Sequence, residues 1–128
     1  MTGYSVKVKE SSRELNARER IIMKDTTNAI KLDDIIKEKG DKFVMTPVAY
    51  AVLEIHNEKA EGNKDYDNYV IVGDNGNKYI TGSPSFWDAF SGIWEELTGE
   101  TDEPFEIEVY KMDSKNYKGK QFLTCSVI

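Results

Sequence analysis

Residues 83–97 read SPSFWDAFSGIWEEL, and their pattern guides the interpretation of the segments around them. The large apolar residues recur at i, i+4, i+7, i+8 and i+11, which is the spacing of one face of an α-helix. Ser83 followed by Pro84 is typical of an N-cap and a first helical position, Ser85 with Asp88 offers a rival capping box, and Gly99 predicts the end of the helix. The residues that form the apolar face are Phe86, Phe90, Ile93, Trp94 and Leu97.

Segments with strand-like composition lie on both sides of this helix. Upstream, residues 43–56 (FVMTPVAYAVLEIH) are rich in β-branched and aromatic side chains, and Pro47 among them indicates a bulge, an edge or a strand start. The run GDNGN at residues 73–77 predicts a hairpin turn between two further strands. Downstream, residues 105–111 and 121–127 alternate apolar and polar side chains on either side of a lysine-rich loop.

The order of strands, one helix and two more strands predicts a mainly β fold of the OB type. In that fold a five-stranded barrel carries a helix between its third and fourth strands. We expect one such domain over residues 1–128, with an α+β sandwich as the alternative. Residues 1–22 fit either the barrel or an N-terminal arm. Within them, residues 4–9 alternate as a short strand, and Ser11 with Glu14 matches a capping box at the start of a short helix.

Charge is distributed unevenly along the chain. The net charge is −6, but residues 60–110 hold 2 Lys/Arg and 12 Asp/Glu, whereas residues 111–128 hold 4 Lys/Arg and 1 Asp/Glu. A folded chain is therefore expected to show an acidic surface and a basic surface. No apolar run approaches the roughly 20 residues that cross a membrane, and the N-terminus lacks the apolar region of a signal peptide, so we expect a cytoplasmic protein.

Residue types that carry catalysis or bind metals are scarce. The single His56 and the single Cys125 are too few for a zinc site. Cys125 lies in a strand pattern, which favours a buried packing thiol over a reactive one. His56 is expected to be an ordinary strand-end residue, with a ligand contact as the alternative. The chain has no phosphate-binding loop, nucleophile elbow or metalloprotease motif, so the sequence predicts no enzyme, no metal and no cofactor.

Strand alternation places one aromatic side chain among polar neighbours in each of three predicted strands, and it also turns Tyr110 outward. Aromatic rings stack on the bases of single-stranded nucleic acid, while lysines neutralise its phosphates. The ordinary alternative is that strands carry Tyr and Phe on both faces because aromatic residues suit strands. The aromatic residues selected in this way are Tyr50, Tyr79 and Phe122.

Several segments resemble small single-stranded DNA-binding proteins of tailed phages and prophages of Gram-positive bacteria. The resemblance implies an OB-fold that coats single strands during phage replication or recombination in the cytoplasm of the bacterial host. It extends from residue 23 to residue 128. The segments are MKDTTNAIKLDD (23–34), VAYAVLEIHNEK (48–59), YVIVGDNGNKYITGS (69–83), SFWDAF (85–90) and FEIEVYKMDSKNYKGKQFLTCSVI (105–128).

The same resemblance implies which side chains contact DNA, because such proteins bind through aromatic residues on the barrel face and lysines on hairpin loops. The stacking residues carried over to this sequence are Tyr50, Tyr79, Tyr117 and Phe122. The lysines expected to contact phosphates are Lys59, Lys64, Lys78, Lys111, Lys115, Lys118 and Lys120.

The chain departs from cellular members of this wider class at its end. Those members finish in a flexible acidic tail that recruits partner proteins, whereas here the sequence finishes in the strand pattern FLTCSVI. The acidic stretch at residues 95–108 is the remaining candidate for contacts with replication or recombination proteins. The alternative hypothesis to single-stranded DNA binding is therefore a protein-interaction module, or a phage inhibitor, that acts through its acidic surface.

Overall fold

The computed structural model describes residues 4–40, 42–59, 62, 64–114 and 119–128. The strands are β1 (Tyr4–Ser11), β2 (Ile30–Lys31), β3 (Lys42–Met45), β4 (Pro47–Asn57), β5 (Asp65–Gly73), β6 (Lys78–Thr81), β7 (Ile107–Asp113) and β8 (Gln121–Val127). The helices are α1 (Ala17–Lys24), α2 (Leu32–Lys39) and α3 (Pro84–Glu100).

Five strands form sheet A, in the order β1-β4-β5-β6-β2. β1, β4, β5 and β6 pair antiparallel with their neighbours, while the short β2 pairs parallel with β6. The Gly73 N–H donates to the Asn77 carbonyl (3.0 Å) and closes the turn between β5 and β6. Gly76 in this turn has a φ of 84°, a conformation that favours glycine. The predicted hairpin at residues 73–77 is confirmed.

The other three strands form the antiparallel sheet B, in the order β3-β7-β8. Thr46 alone separates β3 in sheet B from β4 in sheet A, so one extended segment contributes to both sheets. The register of β4 against β5 shifts between Pro47 and Ala49. Proline cannot donate a ladder hydrogen bond, which suits the start of a strand at a bulge. The irregularity predicted at Pro47 is confirmed.

Helix α3 connects β6 to β7 and begins where the sequence predicts. Ser83 Oγ accepts a hydrogen bond from the Phe86 N–H (3.3 Å), and Pro84 is the first helical residue. The helix continues one residue past Gly99, and its C-cap is Thr101. Phe86 and Phe90 are completely buried, so the apolar face predicted from the spacing packs into the core.

The main core joins the inner face of sheet A, the inner face of sheet B, α2 and α3. Burial raises the pKa of the Cys125 thiol to about 12, so it stays protonated at neutral pH and packs as an apolar side chain, as predicted. The buried residues of this core are Leu32, Ile36, Met45, Ile71, Tyr79, Phe86, Phe90, Ile107, Val109, Leu123 and Cys125.

The opposite, outer face of sheet A has its own apolar cluster, which Leu15 and Met23 cover from the α1 segment. Asn16 Oδ1 accepts from the Glu19 N–H (2.9 Å), and the Asn16 N–H donates to Glu19 Oε1 (3.1 Å). These bonds form the capping box of α1. The capping box predicted at Ser11 is wrong, because Ser11 is the last residue of β1. The remaining buried members of the cluster are Ala49, Ala51, Leu53, Ile55 and Val70.

The mainly β class is confirmed, but the described residues contain three helices, whereas the OB-type arrangement has one; the short helix expected after Ser11 is α1, which begins later, at Ala17. α1 and α2 have eight residues each, too few for a clear apolar period. The described strands form two sheets that share the β3–β4 segment, and no pairing between described residues closes them into a five-stranded barrel. No helix in the described parts of the chain combines the length and apolar character needed to span a bilayer.

Candidate functional site

The outer face of sheet B is built from side chains that lie opposite one another on adjacent strands. Tyr110 pairs with Lys42 on one side and with Thr124 on the other, and Met112 pairs with Phe122. Directly opposed residues of antiparallel strands share a face, and successive residues alternate between faces. The residues on this face are Lys42, Val44, Glu108, Tyr110, Met112, Phe122, Thr124 and Ser126.

The aromatic and apolar side chains of this face are open to solvent. Phe122 is 37% exposed and Met112 is 45% exposed. Tyr110 is partly buried, and a 2.6 Å hydrogen bond between its hydroxyl and Ser126 Oγ fixes the ring across the sheet. The predicted outward orientation of Phe122 is therefore confirmed. Two rings and a polarisable thioether on one flat surface are suited to stacking with planar ligands.

Lys120 lies at the hairpin end of the same face. The Ser114 N–H donates to the Lys120 carbonyl (2.8 Å), which continues the β7–β8 ladder, and the alternation then places Lys120 on the side of Phe122. Gly119 has a φ of 82°, which a glycine adopts without strain. Three further residues predicted to bind DNA lie outside the described residues: Lys115, Tyr117 and Lys118.

Two other lysines of sheet B already have carboxylate partners. Lys42 Nζ lies 3.3 Å from Glu108 Oε1 on the outer face. Lys111 Nζ lies 3.1 Å from Asp33 Oδ1 on α2. Because Lys111 alternates with Tyr110, it points to the opposite side of the sheet. The predicted phosphate contact of Lys111 would require this ion pair to break, so its contribution to the outer face is indirect at most.

Tyr50 lies on the inner face of sheet A, where α3 covers it. Its ring makes edge contacts with Trp87 and Trp94, at centroid distances of 5.0 and 5.4 Å, and with Phe90 at 6.0 Å. Burial raises the pKa of the Tyr50 hydroxyl. The expectation of an open stacking surface at Tyr50 is wrong, because α3 occupies the space in front of the ring.

Tyr79 lies deeper in the same core. It is 2% exposed, and its ring centroid is 5.2 Å from that of Phe43. The Asn75 side chain donates to the Tyr79 hydroxyl (3.1 Å), so the polar end is satisfied within the protein. Tyr79 does share a face with Thr81, as predicted, but that face is buried. The outward orientation predicted for Tyr79 is therefore wrong.

Lys78 has a structural role at the end of α1. Its ammonium donates to the Ile22 carbonyl (2.8 Å) and to the Asp25 carbonyl. These carbonyls belong to the last turn of α1 and its C-cap, where a cation also interacts favourably with the helix dipole. Lys78 thus ties α1 to the outer face of sheet A, and the structure does not present it as a free phosphate ligand.

Lys59 and Lys64 lie at the β4–β5 hairpin, apart from sheet B. Lys64 Nζ donates to the Glu58 carbonyl (2.8 Å) and lies 3.7 Å from Glu58 Oε2. The Lys59 N–H donates to Asn57 Oδ1 (3.0 Å), and its side chain is exposed. Since β4 has eleven residues, this hairpin is separated from β3 by roughly 30 Å of extended chain. The structure therefore does not gather all the predicted lysines into one site.

His56 lies at the base of that hairpin between two carboxylates. Its Nδ1 is 2.6 Å from Asp65 Oδ1, and its Nε2 is 2.5 Å from Glu58 Oε1. Ionised carboxylates only accept hydrogen bonds, so the protonated form of the ring can donate to both of them at once. The hydrogen bond to Asp65, followed by that to Glu58, raises the pKa of His56. His56 therefore acts in hairpin structure, as a strand-end residue.

Sequence reasoning did not select Lys42, Val44, Tyr110 or Met112 for the site. Tyr110 was expected to face outward, but only the pairing of β7 with β3 and β8 shows which side chains lie beside it. Alternation along residues 42–45 and 107–113 is the signal that identifies these residues once the three strands are known to be neighbours.

No protein-family model, curated protein or solved structure matches this chain significantly. The function therefore has to be inferred from the geometry of the site.

Proposed function

We propose that this protein binds single-stranded DNA on the outer face of sheet B, with little dependence on base sequence. The observation that carries the proposal is a face on which the exposed Met112 and Phe122 lie beside the partly buried Tyr110, with lysines on both sides. These lysines are Lys42 on β3 and Lys120 next to β8. Stacking surfaces and cations on one face are the two components that a sequence-tolerant single-strand site requires.

The rings supply the preference for single strands. An unpaired base can place its π-face on an aromatic side chain, which contributes about 1–3 kcal/mol per base, whereas a duplex keeps its bases stacked on one another. Phe122 and Met112 are directly opposed on adjacent strands, so their side chains form one continuous surface. Because every base has a π-face, this contact distinguishes single strand from duplex better than it distinguishes one base from another.

The lysines supply the phosphate contacts. Lys120 is exposed at the hairpin end of the face, and Lys42 lies on the edge strand β3, opposite Tyr110 and beside Glu108. In the sequence, Lys115 and Lys118 lie in the connection between β7 and β8, which adds positive charge to this end of the chain. When a phosphate takes the place of Glu108 beside Lys42, the DNA releases counterions that were bound to it. The affinity for DNA should therefore fall as the salt concentration rises.

The order of the strands supports an OB-type arrangement. If β3 and β4 are taken as one bent strand, the order becomes β3/β4, β5, β6, α3, β7 and β8, which places a helix between the third and fourth strands. The first of these strands pairs with its second in sheet A and with its fourth in sheet B, as in a partly open Greek-key barrel. β1, α1, β2 and α2 are additions to that arrangement.

In this proposal the protein acts by stoichiometric coating of single strands exposed during phage replication or recombination, without turnover or a cofactor. The test is fluorescence anisotropy of a labelled oligothymidine about 30 nucleotides long, titrated at two salt concentrations beside a matched duplex. We expect salt-sensitive binding of the single strand and much weaker binding of the duplex.

Two substitutions locate the interface. Phe122→Ala removes a ring from the outer face of sheet B, and Tyr66→Ala removes a ring of matched exposure (38% against 37%) from sheet A. We expect Phe122→Ala to weaken single-strand binding by about 1–3 kcal/mol and Tyr66→Ala to leave it unchanged. Equal losses in the two variants would contradict the assignment of the face, and equal affinity of the wild type for duplex and single strand would contradict the function.

A further inference from the structure

A pocket of about 290 Å³ lies at the C-terminal end of α3, and none of its lining residues belongs to the outer face of sheet B. It opens between α3, the start of β4 and the segment that leads into β7. Trp94 and Phe105 form an aromatic wall, with ring centroids 5.9 Å apart and planes inclined at 66°. Thr98 Oγ1 donates to the Trp94 carbonyl (2.6 Å) and fixes the last turns of the helix beside this wall.

An exposed apolar residue continues the pocket onto sheet A. Val48 lines the pocket and is 52% exposed. The cause is the register shift between Pro47 and Ala49, which leaves Val48 without a partner on β5. Val48 also lines a neighbouring pocket of about 410 Å³, together with the exposed Ile22 of α1. Val48 is therefore a lining residue common to both pockets.

The rim of the pocket is acidic, and none of the described residues that line it is a cation. Residues 84–110 contain 8 Asp/Glu and no Lys, Arg or His. Asp102 and Glu103 line the pocket itself. Within the described parts of the chain, Glu108 is the one member of these eight that forms an ion pair, with Lys42. The charge of the rim is thus available to an external partner.

We propose that this pocket docks a cationic segment of a partner protein, which places an apolar side chain against Trp94 and Phe105 and its charged groups near Asp102 and Glu103. Arginine suits the charged positions of this segment, because its guanidinium pairs with carboxylates. The carboxylates repel phosphates, so nucleic acid is disfavoured at this site. The inference does not depend on DNA binding, since the pocket and the outer face of sheet B share no residue.

The test uses a fluorescein-labelled, C-amidated peptide of sequence Gly-Arg-Leu-Arg-Lys-Leu-Arg-Gly, titrated with the full-length protein and followed by anisotropy. Asp102→Lys with Glu103→Lys reverses the rim, and both residues are exposed, so the fold should tolerate the change. Glu10→Lys with Glu38→Lys makes the same change in net charge on exposed positions of β1 and α2. We expect the rim variant to lose about tenfold or more in peptide affinity and the control variant to stay within about threefold of wild type.

A second peptide tests the apolar part of the pocket. Replacing both leucines of the probe with serine should weaken binding by about tenfold, because the wall of Trp94 and Phe105 would lose its apolar contact. Equal affinity for both peptides, or equal losses in the two protein variants, would show nonspecific charge attraction and would overturn the proposal. Absence of binding at millimolar peptide would also overturn it. So would a wild-type dimer that the rim variant converts to a monomer in sedimentation, because the occupant would then be a second copy of this chain.

Discussion

The inner face of sheet A and the outer face of sheet B both carry aromatic residues at alternate strand positions, yet the first face is covered and the second is open to solvent. On sheet A, Tyr50 and Tyr79 are enclosed by α3 and by side chains of the core. On sheet B, Phe122 and Tyr110 lie on the side away from the buried Leu123 and Cys125 and remain in contact with solvent. Alternation thus identifies which residues share a face, but the packing of a helix decides whether that face is a core or a surface.

The covering of sheet A follows from the composition of α3. Phe86 and Phe90 are completely buried, and Trp87 stacks on Tyr69 with a centroid distance of 4.9 Å and an interplanar angle of 3°. Aromatic side chains on both elements favour offset or edge-to-face contacts, and such pairs stabilise a helix on a sheet beyond the area that they bury. The aromatic residues of the two sheets are therefore of the same types, and they differ in whether a helix packs against them.

The largest expected effect is a difference in the free energy of unfolding between a variant of the covered face and a variant of the exposed face. Phe90→Ala should lower the free energy of unfolding by about 3–5 kcal/mol, because it opens a cavity among Tyr50, Phe86 and Trp94. Phe122→Ala should change it by less than about 1 kcal/mol, because the ring is exposed. Urea unfolding followed by circular dichroism measures both variants. Similar losses would show that the outer face of sheet B is covered in solution.

A matched pair of lysine substitutions sharpens the comparison further. Lys78→Met removes the ammonium that caps the C-terminus of α1 and should lower the free energy of unfolding by about 1–2 kcal/mol, with the salt dependence of DNA binding unchanged. Lys120→Met should leave stability within about 0.5 kcal/mol of wild type. In the proposed site it should also reduce the slope of log affinity against log salt by about one unit. If Lys78→Met reduced the salt dependence of DNA binding and Lys120→Met reduced stability, the roles assigned to both lysines would be contradicted.

Features carried by local chemistry were predictable from the sequence. The start of α3 follows from the adjacent Ser83 and Pro84, the β5–β6 turn follows from GDNGN, and the bulge follows from Pro47. α1 was placed too early because Ser11 with Glu14 and Asn16 with Glu19 have the same capping spacing. The pairing of strands decides between these two helix starts, because β1 continues through Ser11 along β4 and leaves Asn16 as the N-cap.

Features that depend on distant partners were not predictable in this way. The orientation of Phe122 was correct because β8 alternates regularly: Leu123 and Cys125 are buried, and Phe122 lies on the opposite, exposed side. The orientations of Tyr50 and Tyr79 failed because α3 and α2 pack on their side of sheet A, and no local signal reports that contact. The lysines show the same limit, because Lys78 and Lys111 have partners at sequence separations of more than fifty residues.

A smaller effect is expected at Tyr110, where substitution tests whether the ring or the hydroxyl group contacts the DNA. Tyr110→Phe removes the hydrogen bond to Ser126 and should lower the free energy of unfolding by about 0.5–1.5 kcal/mol. It retains the ring, so single-strand affinity should change by no more than about twofold if stacking is the main contact. Ser126→Ala removes the same bond from the other side and should match it in stability. A large loss of DNA affinity in both variants would show that the hydroxyl pair, rather than the ring, contacts the ligand.

The smallest effect concerns Tyr50 and His56, which lie on one face of β4 but in different surroundings. The pKa of each is raised, for Tyr50 chiefly by burial under α3 and for His56 by hydrogen bonds to Asp65 and then Glu58. The His56 contribution to stability should be complete below its unfolded pKa of about 6.5 and should disappear as pH rises through the higher folded value. Titration of the His56 ring by NMR should show this raised pKa, and Asp65→Asn should lower it.

Salt should distinguish the two residues. About 1 M salt should reduce the pKa shift of His56, because ions screen exposed charges, while the burial-induced pKa shift of Tyr50 persists. A salt response at Tyr50 as large as that at His56 would mean that α3 does not cover this face in solution.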